Sequence, residues 1–324
     1  MTAAGASERT YPVQISVEGF GDRVASRVAD RESQLVLGLD PDPALLWPGA
    51  IEGVGSAGDS LAPPAARAAL AVAAHCELAI DAVREHCVAV KLQVACFERL
   101  GAPGWSALAE VAERARERGL LVLADGKRGD IDVSAAAYAQ AFLGETETPF
   151  GLVDGLGVDA LTLNPLLGVD SLTPLVQCAR GRHRGVFVLV RTSNAGAADV
   201  QELGLAGGGT VSERLARIVA ELGAPGTGAA GLADVGAVVG ATAPHLLQTL
   251  RDQMPHAVFL LPGVGAQGGR VQDLEPAFAP GPGGGLLAVS RGIVNAHQLT
   301  GGPPAVAAER EAARLRALVW KLAS

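Results

Sequence analysis

The stretch Leu-Val-Leu-Ala-Asp-Gly-Lys-Arg-Gly-Asp-Ile-Asp, residues 121–132, sets a short apolar run against a turn dense in charge. The apolar run has the length and make-up of a buried strand, and the two glycines mark a turn. Residues 133–143 then have helical period. A strand that hands over to a helix through a polar turn is half of a β/α unit, so the question becomes how often this unit recurs.

It recurs along the whole chain. Strands read at 35–39, 87–92, 120–124, 158–163, 185–190, 234–239, 257–261 and 285–289. Helices read near 65–86, 105–118, 133–143, 170–180, 211–222, 243–253 and 304–322, while 262–284 is mostly Gly and Pro. Eight such units predict an α/β fold, a (β/α)8 TIM barrel, in which chemistry gathers in the loops after the strands' C-terminal ends. A doubly wound open sheet is the competing architecture. Residues 1–33 read as an added N-terminal helix across the barrel bottom, so the expectation is one domain, 1–324, with 1–33 as an extension. The Gly/Pro-rich stretches 49–64, 194–210 and 276–285 read as long loops. The second, with Gly204 and Gly207 to Gly209, is either a mobile lid or merely a flexible connection.

Composition narrows the function. The chain has 324 residues, 49% of them hydrophobic, and a formal net charge of -8, which argues against nucleic acid or an anionic membrane as partner. An anionic small molecule then needs a locally built positive site. Cys76, Cys87, Cys96 and Cys178 show no Cys-x-x-Cys pair, and the histidines show no metal-ligand spacing, so no metal is expected and reduced thiols in the cytoplasm are. The N-terminus is not a charged segment followed by an apolar run. No segment reaches the ~18 uninterrupted apolar residues that a bilayer span needs.

Lysine is the informative residue. Only Lys91, Lys127 and Lys321 occur among 26 basic residues. Lys321 sits in an amphipathic C-terminal stretch and reads as a solvated surface residue, whereas Lys91 and Lys127 end strand-like runs. An ammonium is compact and can surrender its proton, which a guanidinium cannot do at reachable pH. Those two positions are where that chemistry would be wanted.

The residues after each strand form a polar set: Asp40, Lys91, Asp125 with Lys127, Asn164, Thr192-Ser193-Asn194, Gln267 and Arg291. In a barrel these converge on one mouth. Any one of them also has an ordinary reading, since Asp, Asn and Ser commonly cap helices and make turns; for Asp40, in Leu-Asp-Pro-Asp-Pro, both readings stay open. Around 121–132 the functional reading is firmer. Residues two apart on a strand point to one side, which puts Asp125 and Lys127 together. A lysine against carboxylates keeps its proton, because neighbouring negative charge opposes the effect of burial. If Lys91 and Asp130 join them, two ammoniums and two carboxylates make a nearly neutral network.

At these residues the chain resembles the orotidine 5'-phosphate decarboxylase family, in its longer bacterial branch, which carries Asp-x-Lys-x-x-Asp-Ile after the third barrel strand. Here the motif is Asp125-Gly126-Lys127-Arg128-Gly129-Asp130-Ile131. The resemblance extends, in order, through Gly38-Leu39-Asp40-Pro41, Val90-Lys91, Leu163-Asn164-Pro165 with Gly168-Val169-Asp170-Ser171, Arg191-Thr192-Ser193-Asn194, Pro262 to Gly269, and Ser290-Arg291-Gly292-Ile293. It covers roughly residues 10–320; each motif alone is weak and the set is specific.

The resemblance implies decarboxylation of orotidine 5'-phosphate to uridine 5'-phosphate in pyrimidine biosynthesis, with no cofactor. It implies that Lys127 stabilises a carbanion at C6 of the pyrimidine and protonates it, that Asp125 lies near the departing carboxylate and holds Lys127, and that Lys91 completes the charge network and contacts the ribose. Asp40 would accept a ribose hydroxyl, Ser193 would bond the pyrimidine, and Gln267 and Arg291 would hold the phosphate, helped by N–H groups around Gly268 and Ser290. Asp130, Ile131 and Ser134 would reach into a neighbouring subunit, which implies a homodimer with shared active sites. Gly126 stands where alanine is expected and Ser134 where threonine is also common. Leu166 stands where tyrosine is expected, so any aromatic contact there is in doubt.

Gly263-x-Gly265-x-x-Gly268 matches a dinucleotide fingerprint literally, yet no amphipathic helix comes after it to receive a pyrophosphate. His75 and His86, in or beside an apolar helix, read as structural residues. Two rival functions stand beside the first: a magnesium-dependent sugar-phosphate lyase or epimerase on a similar Asp-x-Lys-x-x-Asp, and a non-catalytic barrel that binds nucleotides. Ile131, Ser134 and the Arg-Thr-Ser-Asn segment speak against the former, and the intact Lys127, Asp125 and Asp130 against the latter.

Overall fold

The computed structural model describes residues 18–55, 62–265 and 267–324. Its strands are β1 (Leu35–Leu39), β2 (Ala89–Gln93), β3 (Leu121–Arg128), β4 (Glu145–Thr148), β5 (Gly151–Asp154), β6 (Ala160–Leu163), β7 (Gly185–Arg191), β8 (Val235–Val239), β9 (Phe259–Pro262) and β10 (Gly285–Val289). Among the described residues, eight parallel strands close in the order β1-β10-β9-β8-β7-β6-β3-β2. Because β1 pairs with both β2 and β10, the sheet has no edge, and the open doubly wound alternative is excluded. This is the (β/α)8 barrel that the strand–helix repeat predicts.

Burial follows the two-residue period of the strands. Leu35, Leu37 and Leu39 of β1, Val90 and Leu92 of β2 and Val186, Val188 and Val190 of β7 face the helices and share their core. Val36, Ala89, Leu121, Leu123, Ala160, Phe187, Val238, Leu260 and Leu286 alternate with them and fill the barrel interior. The helix Phe20–Arg31 closes the bottom, as expected of an added N-terminal helix. Its Phe20, Val24 and Val28, four residues apart, join the interior cluster. Phe20 meets Phe187 edge to face at 5.9 Å, and a Cβ at Gly185 would lie 2.2 Å from the Phe20 ring. Residues 1–17 of the expected extension lie outside the described residues.

Several boundaries differ from the sequence reading. β3 runs four residues beyond 124, into the charged motif itself. Strands β4 and β5 form an antiparallel hairpin that the sequence did not announce, since Glu-Thr-Glu-Thr has no apolar face. The expected loop 49–64 begins with a helix, Pro48–Gly55, while 56–61 lie outside the described residues. The glycine fingerprint after β9 leads into a 3-10 helix, Val271–Phe278, and not the α-helix a pyrophosphate would need.

The glycine-rich connection 194–210 is tied down along its length. Arg191, 7% exposed, pairs with Glu202 at 2.7 Å. The Gln201 side chain accepts the Thr192 N–H at 2.8 Å, and the Gln201 main-chain carbonyl accepts the Ser212 N–H at 2.8 Å. Thr210 then caps the helix Val211–Gly223 by accepting the Glu213 N–H, with Glu213 itself in the third helical position.

The loop after β1, which carries Asp40, is fixed from beneath by a buried histidine. His75 Nδ1 accepts the Trp47 N–H at 3.0 Å, so the ring must be neutral on that side. Burial, reinforced by the charge of His297, pushes the His75 pKa down to about 4. The unfolded chain therefore takes up a proton on falling through its ordinary value near 6.5, and the folded chain does not. Stability is fully present above pH 6.5 and is lost as pH falls toward 4, by about 3 kcal/mol. Chemical denaturation across that range should show the slope, and His75→Asn, which keeps an acceptor at the Nδ1 position, should flatten it; an equal slope in both proteins would contradict the assignment.

Candidate active site

Going up five of the eight strands, the inward residues change from apolar to polar within one or two two-residue steps. β1 goes from Val36 through Gly38 to Asp40, β2 from Ala89 to Lys91 and Gln93, and β3 from Leu123 to Asp125. β6 goes from Ala160 to Thr162, and β10 from Ala288 to Ser290. The floor of the mouth is thus a packed apolar layer, and a low-dielectric floor strengthens every charge interaction set upon it.

Asp125 is the hub. Lys91 Nζ donates to its Oδ2 at 2.7 Å, and Lys127 Nζ donates to its Oδ1 at 2.6 Å. Thr162 Oγ1 donates to the same Oδ1 at 2.9 Å. Burial alone would raise the Asp125 carboxyl, but the two ammoniums outweigh it and hold the pKa at about 2. Asp125 and Lys91 side chains are only 11% and 12% exposed, whereas Lys127 is 44% exposed. Lys127 thus stands at the rim with its ammonium turned to the buried carboxylate.

The backbone contributes to that placement. Lys127 lies in the left-handed region at φ 47°, which costs a non-glycine residue about 1 kcal/mol. The β3–β6 register shifts between Ala124 and Arg128, so the strand bulges where the motif sits, and bulges near active sites re-aim side chains. Beyond the bulge, Arg128 pairs with Glu98 and lies 5.4 Å over the rings of both Tyr138 and Phe142.

Around Asp125 opens a cavity of about 230 Å³, lined among others by Asp40, Lys91, Gln93, Ser193, Gln267 and Arg291. Seven of the sequence-predicted residues therefore converge: six line the cavity, counting Asp125, and Lys127 bonds to its wall. Desolvation pushes the Asp40 carboxyl above its ordinary range, with Lys91 and Arg291 pulling against it. Ser193 is seated by two close backbone approaches, since a Cβ at Gly240 would lie 2.7 Å from its Cα and one at Gly263 2.9 Å from its Cβ. Gly263 also has φ 103°, which disfavours any side chain there.

Three predicted residues are not brought to this cavity. Asp130, Ile131 and Ser134 follow β3 onto the outer start of the helix Asp132–Leu143, and Ile131 is 49% exposed. Asp130 Oδ1 accepts the Ile131 N–H at 2.8 Å. The four-charge network expected if Asp130 joined is thus not formed within one chain, because the turn at Gly129 carries Asp130 away. That turn is tight: a Cβ at Gly129 would lie 2.6 Å from the Asn164 carbonyl oxygen. Asn164 itself serves a turn, its Oδ1 accepting the Leu166 N–H at 3.0 Å, and Leu166 is 79% exposed. The Gly268 N–H, expected to face a phosphate, instead closes its own turn on the Gly265 carbonyl at 2.8 Å.

Two site residues escaped the sequence reading. Gln93 could have been found, being two residues past Lys91 on the same face. Thr162 could not, because a threonine between leucines is ordinary strand composition. Among the described residues, no group of three His, Cys, Asp or Glu side chains could hold a metal ion, and no helix is long and apolar enough to cross a membrane.

Residues 33–307 match the profile of the Orotidine 5'-phosphate decarboxylase / HUMPS family. A Deinococcus radiodurans protein named orotidine 5'-phosphate decarboxylase is 41% identical over 301 residues, covering 91% of this chain and 94% of that protein. A solved structure of Leishmania donovani OMP decarboxylase is similar with a TM-score of 0.66 at 30% identity, covering 93% of this chain and 99% of that one. A solved structure from Streptomyces avermitilis reaches a TM-score of 0.72 at 34% identity, covering 96% and 99%.

Proposed function

We propose roles for the residues of the mouth from one premise: the chain belongs to the orotidine 5'-phosphate decarboxylase family and converts orotidine 5'-phosphate to uridine 5'-phosphate and carbon dioxide in pyrimidine biosynthesis. The observation that carries the roles is the Lys91–Asp125–Lys127 triad, in which Lys91 and Asp125 line a cavity shared with Arg291 and Gln267 and Lys127 bonds to its wall.

In this reading the C6–carboxylate bond breaks heterolytically, carbon dioxide leaves, and the electron pair stays at C6 in the ring plane, where the π system cannot spread it. Stabilisation must come from fixed charge. Lys127 supplies the cation beside C6 and then its proton, and the amine is reprotonated from solvent. Asp125 orients Lys127 and lies near the departing carboxylate, and Lys91 balances Asp125 and contacts the ribose. Asp40 accepts a ribose hydroxyl and Ser193 bonds the pyrimidine. Gln267 and Arg291 hold the phosphate, remote binding energy that positions the ring without touching the reacting carbon. Gly292 also lines the cavity, and the Gly268 N–H, already engaged in its own turn, takes no part.

Within one chain the triad carries one more ammonium than carboxylate. Asp130 of a second copy would balance it, with Ile131 and Ser134 entering the same partner site. Support comes from their lying outside their own cavity, from the exposure of Ile131 at 49%, and from exposed apolar neighbours, Val133 at 83% and Leu166 at 79%. The proposal is a homodimer with two composite sites. Residues 1–324 are further proposed to be one domain with 1–33 appended, for which calorimetry should give a single unfolding transition. The free cysteines Cys76, Cys87, Cys96 and Cys178 suit a reducing cytoplasm.

Following the loss of the substrate's near-ultraviolet absorbance, with and without chelator, tests the reading. The expected rates agree within about twofold, as for a reaction run by protein charges alone. A rate abolished by chelator and restored by magnesium would favour the lyase or epimerase chemistry instead.

A further inference from the structure

We propose that Thr162 is a positioning residue for the decarboxylation, its hydroxyl holding Lys127 from both ends; the inference rests on the reading of Lys127 and Asp125 above. Thr162 points inward from β6 and is 1% exposed. Its Oγ1 accepts the Lys127 N–H at 2.9 Å and donates to Asp125 Oδ1 at 2.9 Å. Chemistry fixes the direction of both bonds. An N–H can only donate, and a carboxylate held ionised by two ammoniums can only accept, so the single hydroxyl proton has one place to go.

The backbone bond replaces one that the sheet cannot make. At the register shift between Ala124 and Arg128 the β3–β6 ladder is interrupted, and Lys127 sits there at φ 47°. The Thr162 hydroxyl fills the place of the missing ladder acceptor and keeps the bulge in that conformation. Its second bond fixes the rotation of the Asp125 carboxylate, whose Oδ1 also receives Lys127 Nζ at 2.6 Å. One oxygen therefore sets both where the Lys127 main chain leaves the sheet and where its ammonium stops. Thr162 touches no reacting atom, and its effect on catalysis is carried through the placement of the cation.

Thr162→Val keeps the shape and removes the hydroxyl; Thr162→Ser keeps the hydroxyl and removes a methyl group. Steady-state kinetics with orotidine 5'-phosphate and binding of uridine 5'-phosphate are measured for both, with Lys127→Ala alongside. For Thr162→Val we expect kcat to fall about 10- to 100-fold, with KM and product affinity within about threefold of the parent because the phosphate grip is untouched. For Thr162→Ser we expect kcat within about threefold of the parent, since the charge-accepting bond survives. A residue that merely packs would give the opposite ranking, as the serine variant carries the void. A parental kcat in Thr162→Val, or a Thr162→Ser as slow as Thr162→Val, overturns the proposal. Should Thr162→Val not fold, Thr162→Ser decides alone: parental turnover supports the hydroxyl's role, and a loss of about tenfold or more overturns it. An active Lys127→Ala would sink the underlying reading instead, and that outcome is distinct, because failure of the Thr162 proposal leaves Lys127→Ala inactive.

Discussion

Lys127→Ala should lose at least about ten-thousand-fold in turnover while binding uridine 5'-phosphate within about threefold of the parent chain. Two losses compound in this variant. In the proposed mechanism the cation that offsets charge at C6 is gone, and so is the proton that quenches it; each is worth about two to four orders of magnitude when removed from an enzyme site. Binding should survive because the groups proposed to grip the phosphate, Gln267 and Arg291, belong to other strands' loops. The fold should survive too, since the Lys127 side chain is 44% exposed and Lys91 still pairs with Asp125 at 2.7 Å. Rapid mixing at enzyme excess measures the chemical step directly. Turnover above about one per cent of the parent would remove Lys127 from the mechanism.

Asp130→Asn and Lys127→Ala, each nearly inactive alone, should recover about a quarter of parental activity when mixed and allowed to exchange subunits. In a two-fold dimer with composite sites, random exchange makes half of the dimers mixed. Each mixed dimer has one site that combines an intact Lys127 from one chain with an intact Asp130 from the other. Asp130→Asn alone should cost about a hundred- to a thousand-fold, since it removes a carboxylate proposed to hold the Lys127 ammonium in place at the reacting carbon. The physical basis is the geometry of the turn: Gly129 packs against the Asn164 carbonyl and carries Asp130 away from its own cavity, where its Oδ1 accepts the neighbouring Ile131 N–H. No recovery on mixing, with exchange verified by differently tagged chains, would mean that Asp130 acts in its own chain or not at all.

The strand pattern was legible because burial on a closed barrel is decided residue by residue. β1 and β10 begin and end where the apolar runs at 35–39 and 285–289 do. The charged motif was legible because Asp125 and Lys127 share a face by strand period, and the chain spends lysine in so few other places. Elements held by backbone pairing without an apolar face were silent. The β4–β5 hairpin, whose Glu-Thr-Glu-Thr strand pairs with a strand that leaves Leu152 and Val153 exposed, is one, and the extension of β3 through Asp125 to Arg128 is another.

By itself, then, the order of residues determined an eight-fold strand–helix chain and the identity of the charges set at its strand ends, because alternation and helical period are local properties that each segment carries alone. Only closure of the barrel decided that Lys91 and Lys127 meet on one carboxylate, that a threonine 37 residues further on completes it, and that Asp130 is turned out of its own site. Those outcomes depend on register, bulge and turn between segments distant in the chain, which no local pattern encodes.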